Sequence, residues 1–194
     1  MNCYVLAGGL SRRMGAPKRS LAIGAETFLD RTIRVARAAF DDVIVVERVA
    51  GEGLRLDART ILDSPHADSS PLFGIAAALR DAAARAWILA LDYPLLTSQV
   101  LSFLRLRFER SASELLVPRA SEKLQMLCAG YAPSLLAIIE SKLGRGDLQI
   151  RGLVDEARAE VVDESIIREH FTGEPLANVN TPEDYREAQT LARG

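Results

Sequence analysis

Apolar residues along this 194-residue chain fall into short continuous runs, and between the runs the spacing turns helical. Cys3–Ala7, Val43–Glu47 and Trp87–Leu91 are such runs, apolar but for the closing Glu47, which predicts strands buried on both faces. Thr27–Phe40 has helical periodicity instead, with Phe28, Leu29, Ile33 and Ala36 on one side. Arg59–Leu62 predicts a short strand ending at Asp63, and Asp63–Pro71, rich in Ser, Pro and Asp, predicts a loop. Pro71 is placed to open a helix through Leu72–Arg85, where its missing N–H costs nothing. Ser98–Arg110 and Pro133–Lys142 predict further helices, and Glu114–Val117 and Met126–Tyr131 further strands. Thr181-Pro182-Glu183-Asp184 combines an N-cap Thr, Pro at the first helical position and Asp three residues after the cap, opening a last helix. Strands and helices alternate. The fold class this predicts is α/β, a Rossmann-like three-layer α/β/α sandwich with a mostly parallel sheet. Without repeats, low-complexity tracts or linker-like shifts, residues 1–194 read as a single domain.

Composition narrows the function classes. Lys+Arg total 24 against Asp+Glu 26, a net charge of -2. That balance lacks the basic excess of a non-specific nucleic-acid binder, so a site for a polyanion must be a local cluster. The two cysteines, Cys3 and Cys128, stand alone and far apart, which argues against a zinc or thioredoxin-like motif and reads as small core residues in a reducing, cytoplasmic setting. No apolar run approaches the ~20 residues of a membrane span. The N-terminal segment runs from a short apolar stretch into glycines without a basic region, so it reads as a first strand and not a signal peptide.

In open parallel sheets, ligands bind outside the carboxyl ends of the strands. Three polar groups are predicted there: the Gly8–Lys18 loop, Asp63 and Asp92. The loop is the most informative. It joins three glycines (Gly8, Gly9, Gly15) to three cations (Arg12, Arg13, Lys18) directly after a buried strand. Glycines let backbone N–H groups approach a ligand closely, and arginine and lysine neutralise phosphate oxygens. The spacing is neither GxxxxGK[ST] nor GxGxxG. A flexible loop with solvated basic residues is the plain alternative. His66, in a polar loop, and His170, near the end of an amphipathic helix, are not expected to act as general bases.

Leu6-Ala7-Gly8-Gly9-Leu10-Ser11-Arg12-Arg13-Met14-Gly15-Ala16-Pro17-Lys18 resembles the LAGGxSxRMGxxK signature of the molybdenum cofactor guanylyltransferases, within the wider nucleotide-diphospho-sugar transferase type of α/β fold. Asp63-Ser64 with Ser70-Pro71-Leu72-Phe73-Gly74-Ile75 is similar to that family's D…GPLAGI segment, with Ser70 for Gly and Phe73 for Ala. Leu91-Asp92-Tyr93-Pro94-Leu95-Leu96 is similar to its LDMPLL segment, and Asn178-Val179-Asn180-Thr181-Pro182-Glu183-Asp184 to its NxNTPED segment. Gln125 to Tyr131 stands where the family reads QPL…Y, with Met126 in place of Pro. The matches fall in the family's order and span nearly the whole chain.

The resemblance implies a Mg²⁺-dependent enzyme that transfers GMP from GTP to the terminal phosphate of molybdopterin, releasing pyrophosphate. Leu6, Ala7, Gly8 and Gly9 would lie against the nucleotide, Ser11, Arg13, Gly15 and Lys18 around the phosphates, and Asp63 at the nucleoside. Arg13, Lys18 and Asp92 would carry the chemistry, with Asp92 holding Mg²⁺, while Asn178 and Asn180 would face the acceptor. A carboxylate at a strand end beside phosphates suits Mg²⁺, which takes one or two carboxylates with phosphate oxygens and water. Turn-forming roles remain the alternatives for Asp63, Asp92, Asn178 and Asn180. Relatives that use CTP tend to carry Ala at the position of Gly8, which implies that this position bears on base choice. The resemblance implies GTP and molybdopterin as partners, neither nucleic acid nor membrane, and transient contacts with proteins that deliver molybdopterin or receive the dinucleotide. The rival functions are a sister transferase that uses CTP or another triphosphate with a pterin, sugar-phosphate or polyol-phosphate acceptor, and a homologue that binds nucleotide without turnover.

Overall fold

A computed structural model describes residues 1–8, 17–48, 58–63 and 70–192. In chain order its elements begin with β1 (Asn2–Leu6), β2 (Ala22–Ile23), β3 (Glu26–Thr27), α1 (Phe28–Arg37), β4 (Val43–Glu47) and β5 (Arg59–Leu62). They continue with α2 (Pro71–Asp81), β6 (Ala86–Ala90), α3 (Ser98–Arg110), β7 (Leu115–Ala120), β8 (Lys123–Leu124) and β9 (Cys128–Tyr131). α4 (Leu135–Gly144), α5 (Leu153–Glu156), β10 (Ala159–Val162), α6 (Glu164–His170) and α7 (Pro182–Leu191) follow.

The central sheet has the strand order β10-β7-β9-β6-β1-β4-β5, with β8 paired to the end of β7. β6, β1, β4 and β5 are mutually parallel, and β10 is parallel to β7. β9 alone in that row is reversed, antiparallel to both β6 and β7. The sheet is therefore mostly parallel, with one reversed strand.

Side-chain alternation divides the strands between two cores. Cys3, Val5, Val43, Val45, Trp87 and Leu89 pack with residues of α1, α3 and α6 on one face. Tyr4, Ile44, Val46, Ala86 and Ile88 pack with residues of α2, α4 and α5 on the other. Both faces are covered, which is why these strands are apolar without interruption. A third, smaller cluster of Ile23, Phe28, Val179 and Ala188 seats α7 against the β2–β3 hairpin.

Helix starts follow local chemistry. Thr27 accepts from the N–H of Asp30 at 3.1 Å, Ser70 accepts from Leu72 at 3.2 Å ahead of Pro71, and Thr181 forms a reciprocal capping box with Asp184. The ends obey longer-range contacts. α2 stops at Asp81, short of the expected Arg85. The Asp81 carboxylate takes the Tyr4 hydroxyl at 2.7 Å and Arg59 at 2.8 Å, while Arg85 donates to the carbonyls of Phe108, Ser111 and Ser113. β10, β8 and the β2–β3 hairpin were not legible from periodicity; the last two are strands of only two residues each.

Candidate functional site

Because β6, β1, β4 and β5 are parallel neighbours, their carboxyl ends share one edge of the sheet. Along that edge stand Asp92 after β6, Ala7 and Gly8 after β1, Arg48 after β4, and Asp63 after β5. Pairing runs on past the strands: Ala7 N–H donates to Val46 O at 3.0 Å and Asp63 N–H to Glu47 O at 2.7 Å. At ~4.8 Å per strand, Asp63 lies about three strand spacings, roughly 14 Å, from Asp92. The two acidic positions thus mark opposite ends of a strip, with Ala7 and Gly8 between them.

Gly8 is required by a close approach. A Cβ built on it would stand 3.0 Å from Arg48 Cβ and 3.1 Å from Arg48 N. The methyl direction is therefore towards the chain leaving β4. Gly8→Ala should force the exits of β1 and β4 apart and lower stability by about 1–3 kcal/mol, the usual cost of overpacking, as read by urea denaturation.

The expected cation and carboxylate do come together. Lys18, opening a single 3-10 turn (Lys18–Ser20), donates from Nζ to Asp92 Oδ1 at 2.8 Å and to Asn180 Oδ1 at 2.8 Å. The Lys18 and Asp92 side chains are 14% and 24% exposed, so the pair is partly desolvated yet open to a ligand. Asn180 is held by the α7 capping box: its N–H donates to Asp184 Oδ2 at 2.8 Å, beside that of Thr181 at 2.9 Å. These N–H groups, helped by the Lys18 charge, hold the Asp184 carboxyl below the usual range. Val179 N–H donates to Asp92 O at 2.9 Å, which lays the 178–180 segment alongside Asp92. Val179 turns inward, so Asn178 and Asn180 share the opposite side, as alternation in an extended segment requires. Of the two, Asn180 is the one that meets Lys18.

Among the described residues no three His, Cys, Asp or Glu side chains gather as a closed metal cage. A single, partly exposed carboxylate at the sheet edge is instead the donor set of a hard cation that takes its remaining ligands from phosphate and water. Asp92 fits that role. The Nζ of Lys18 on Asp92 Oδ1 is itself a positive charge at that place.

Gly9, Ser11, Arg13, Gly15 and His66 lie outside the described residues. Leu6, Ala7, Gly8, Lys18, Asp63 and Asp92 are all at the carboxyl edge or reach it, with Asn178 and Asn180 beside Asp92. His170 ends α6 with its ring 4.9 Å from that of Phe103, in an aromatic contact. Cys3 and Cys128 are fully buried, and burial pushes the Cys128 thiol up to about 12, so both act as core residues. One role at the site went unread in the sequence, the bond that Asp184 takes from the Asn180 N–H, although the position of Asp184 three residues after the cap was its signal.

The family described as the MobA-like NTP transferase domain matches residues 3–161. A probable molybdenum cofactor guanylyltransferase of Pelotomaculum thermopropionicum is 34% identical over 190 residues, covering 97% of this chain and 91% of its own length. The crystal structure of molybdopterin-guanine dinucleotide biosynthesis protein A from Archaeoglobus fulgidus is similar with a TM-score of 0.88 at 24% identity, covering 100% of this chain and 99% of that one. Rv0371C of Mycobacterium tuberculosis H37Rv, solved in complex with manganese, is similar with a TM-score of 0.64 at 21% identity, covering 97% of each chain.

Proposed function

Because the chain belongs to the MobA-like NTP transferase family and is an enzyme of that nucleotidyltransferase type, we propose that it transfers GMP from GTP to the terminal phosphate of molybdopterin and releases pyrophosphate. The observation that carries this reading is the Lys18–Asp92–Asn180 cluster at the carboxyl edge, on the strand end neighbouring that of Gly8. The names of the relatives supply the guanylyl donor and the pterin acceptor.

A phosphate monoester, with its second pKa near about 6, is already an anionic nucleophile at neutral pH. Its oxygen attacks the α-phosphorus of GTP, forming the new O–P bond as the bond to the bridging oxygen of the β-phosphate breaks. The electron pair leaves with pyrophosphate, so no general base and no redox partner are needed. The task left to the protein is positioning and charge. Lys18 sits where its ammonium can turn from Asp92 to the departing phosphates, and Asn180 keeps it within reach. Asp92 would hold Mg²⁺, whose charge would offset the negative charge gathered on the phosphates. Ser11, Arg13 and Gly15 complete the phosphate contacts, Gly9 and Gly8 lie against the base, and Asp63 meets the nucleoside at the far end of the strip. The acceptor then enters from the β6–β9–β7 side, opposite the β1–β4–β5 side where the base lies.

The test is pyrophosphate release by the purified protein with Mg²⁺, molybdopterin and each of the four ribonucleoside triphosphates. GTP should support turnover well above the rest. Preference for CTP sinks the guanylyl assignment, and GTP binding without pyrophosphate release sinks the enzymatic one. In the same assay Gly8→Ala should weaken GTP more than CTP, because spreading the β1 and β4 exits displaces the end of the strip where the larger base would lie. A change of about one methyl group is worth only ~1–3 kcal/mol, so the expected result is a shifted preference. Equal loss for both triphosphates removes Gly8 from base choice.

A further inference from the structure

Ser70 opens α2 at the carboxyl edge, and its hydroxyl does more than cap the helix. The residue is 9% exposed. Its Oγ accepts from Leu72 N–H at 3.2 Å, which is the cap, and donates to Leu148 O at 3.2 Å. A serine hydroxyl has one hydrogen to give and two lone pairs to receive, so both bonds stand together. The similar D…GPLAGI segment has glycine here, which offers no donor, so the bond to Leu148 belongs to the serine of this chain.

Leu148 lies in the stretch 145–152 that follows α4. β9 ends beside the start of β6, with Tyr131 opposite Ala86, so α4 runs back towards the carboxyl edge and the stretch leaves it there. Lys142 anchors that stretch from inside. Its side chain is 2% exposed, and its Nζ donates to Asp147 Oδ2 at 2.6 Å and to Glu156 Oε1 at 2.9 Å. Asp147 N–H donates to Lys142 O at 2.9 Å, and Asp147 Oδ1 accepts from Gln149 N–H at 3.1 Å. The Leu148 carbonyl, between Asp147 and Gln149, is therefore held on both sides. A buried ammonium is costly without its carboxylates, which keeps this support in place.

On its other side the start of α2 rests on the strand ends. A Cβ built on Gly74, in the first turns of the helix, would stand 3.1 Å from Leu6 Cδ2 and 3.7 Å from Val46 Cγ1. Leu6 closes β1 and leads into Ala7 and Gly8, and Val46 lies one residue before the end of β4. We propose that Ser70 is a positioning residue for the nucleotide: its hydroxyl ties the start of α2, and with it the exits of β1 and β4, to the stretch that Lys142 anchors. Its effect on GTP rests on the function proposed above, whereas the coupling itself does not.

Ser70→Gly removes the donor and leaves a residue that helix N-caps tolerate, while Ser70→Thr keeps both uses of the hydroxyl. Backbone amide NMR on the protein without metal or nucleotide reads the coupling. Ser70→Gly should shift the Gln149 amide, whose nitrogen is bonded to the Leu148 carbonyl carbon. Lys142→Met loosens the support from its far side, and it should shift the Ala7 amide when residue 70 is Ser but not when it is Gly. Asp147→Asn serves the same comparison should Lys142→Met not fold. An Ala7 amide that stays in place in both backgrounds, or moves equally in both, overturns the proposal. With GTP, Mg²⁺ and molybdopterin, Ser70→Gly should raise the GTP KM about fivefold, with kcat and the acceptor KM within about twofold, and Ser70→Thr should restore it. A lowered Tm with an unchanged GTP KM, or no restoration by Thr, overturns the positioning role. A wild-type protein that releases no pyrophosphate overturns the function proposed above, and the NMR comparison still decides the coupling.

Discussion

Asp92→Asn should reduce turnover by at least about a hundredfold, ~2.7 kcal/mol of lost transition-state stabilisation. The substitution is informative because so little else changes. The side chain keeps an oxygen for Lys18 Nζ, and the main-chain carbonyl still accepts from Val179 N–H. What disappears is the negative charge that a divalent cation needs at this edge. Titration calorimetry should accordingly show that Mg²⁺ no longer strengthens GTP binding. If the Mg²⁺ dependence of binding is unchanged while Asp92 is Asn, the residue serves the fold and the metal is held elsewhere.

Lys18→Ala is the complementary experiment, and it should cost about 2 kcal/mol or more in kcat/KM, roughly thirtyfold, on the scale of one positioned charge-stabilising group. Stability should hardly change. The Lys18 and Asp92 side chains are 14% and 24% exposed, and Asp92 keeps its access to water when the lysine is gone. The two substitutions separate through the metal. Without nucleotide, Lys18 Nζ occupies an Asp92 oxygen, so removing it should leave Mg²⁺ binding intact or stronger even as turnover falls. Turnover within a few-fold of wild type takes Lys18 out of the mechanism. Weaker Mg²⁺ binding in Lys18→Ala shows that the lysine supports the metal site and does not compete for it.

How much of this was legible in the chain varies with the kind of information each element carries. Val43–Glu47, Arg59–Leu62 and Ser98–Arg110 stand in the structure at the boundaries the apolar pattern predicts. Thr181 and Pro182 announce α7 because capping is settled within four residues. Lys18, Asp92 and Asn180 were each nameable as candidates, since glycine-rich loops and polar residues at strand ends are local signs. Their contact was not nameable from spacing, because Lys18 and Asn180 are 162 positions apart and only the packing of α7 on the β2–β3 hairpin closes that distance.

Burial period, capping and turn chemistry act over a few residues, so the α/β class, both sheet faces and the polar carboxyl edge were already written in the order of side chains. The reversal of β9, the early stop of α2 and the register of Asn178 and Asn180 against Asp92 depend on partners far along the chain. The same holds for Tyr93, which looks like one more core aromatic until Gln125 arrives from the turn between β7 and β9 to meet its hydroxyl. A buried polar group is stable only when its partners are present, and a linear sequence does not say which distant groups folding will bring within hydrogen-bonding reach.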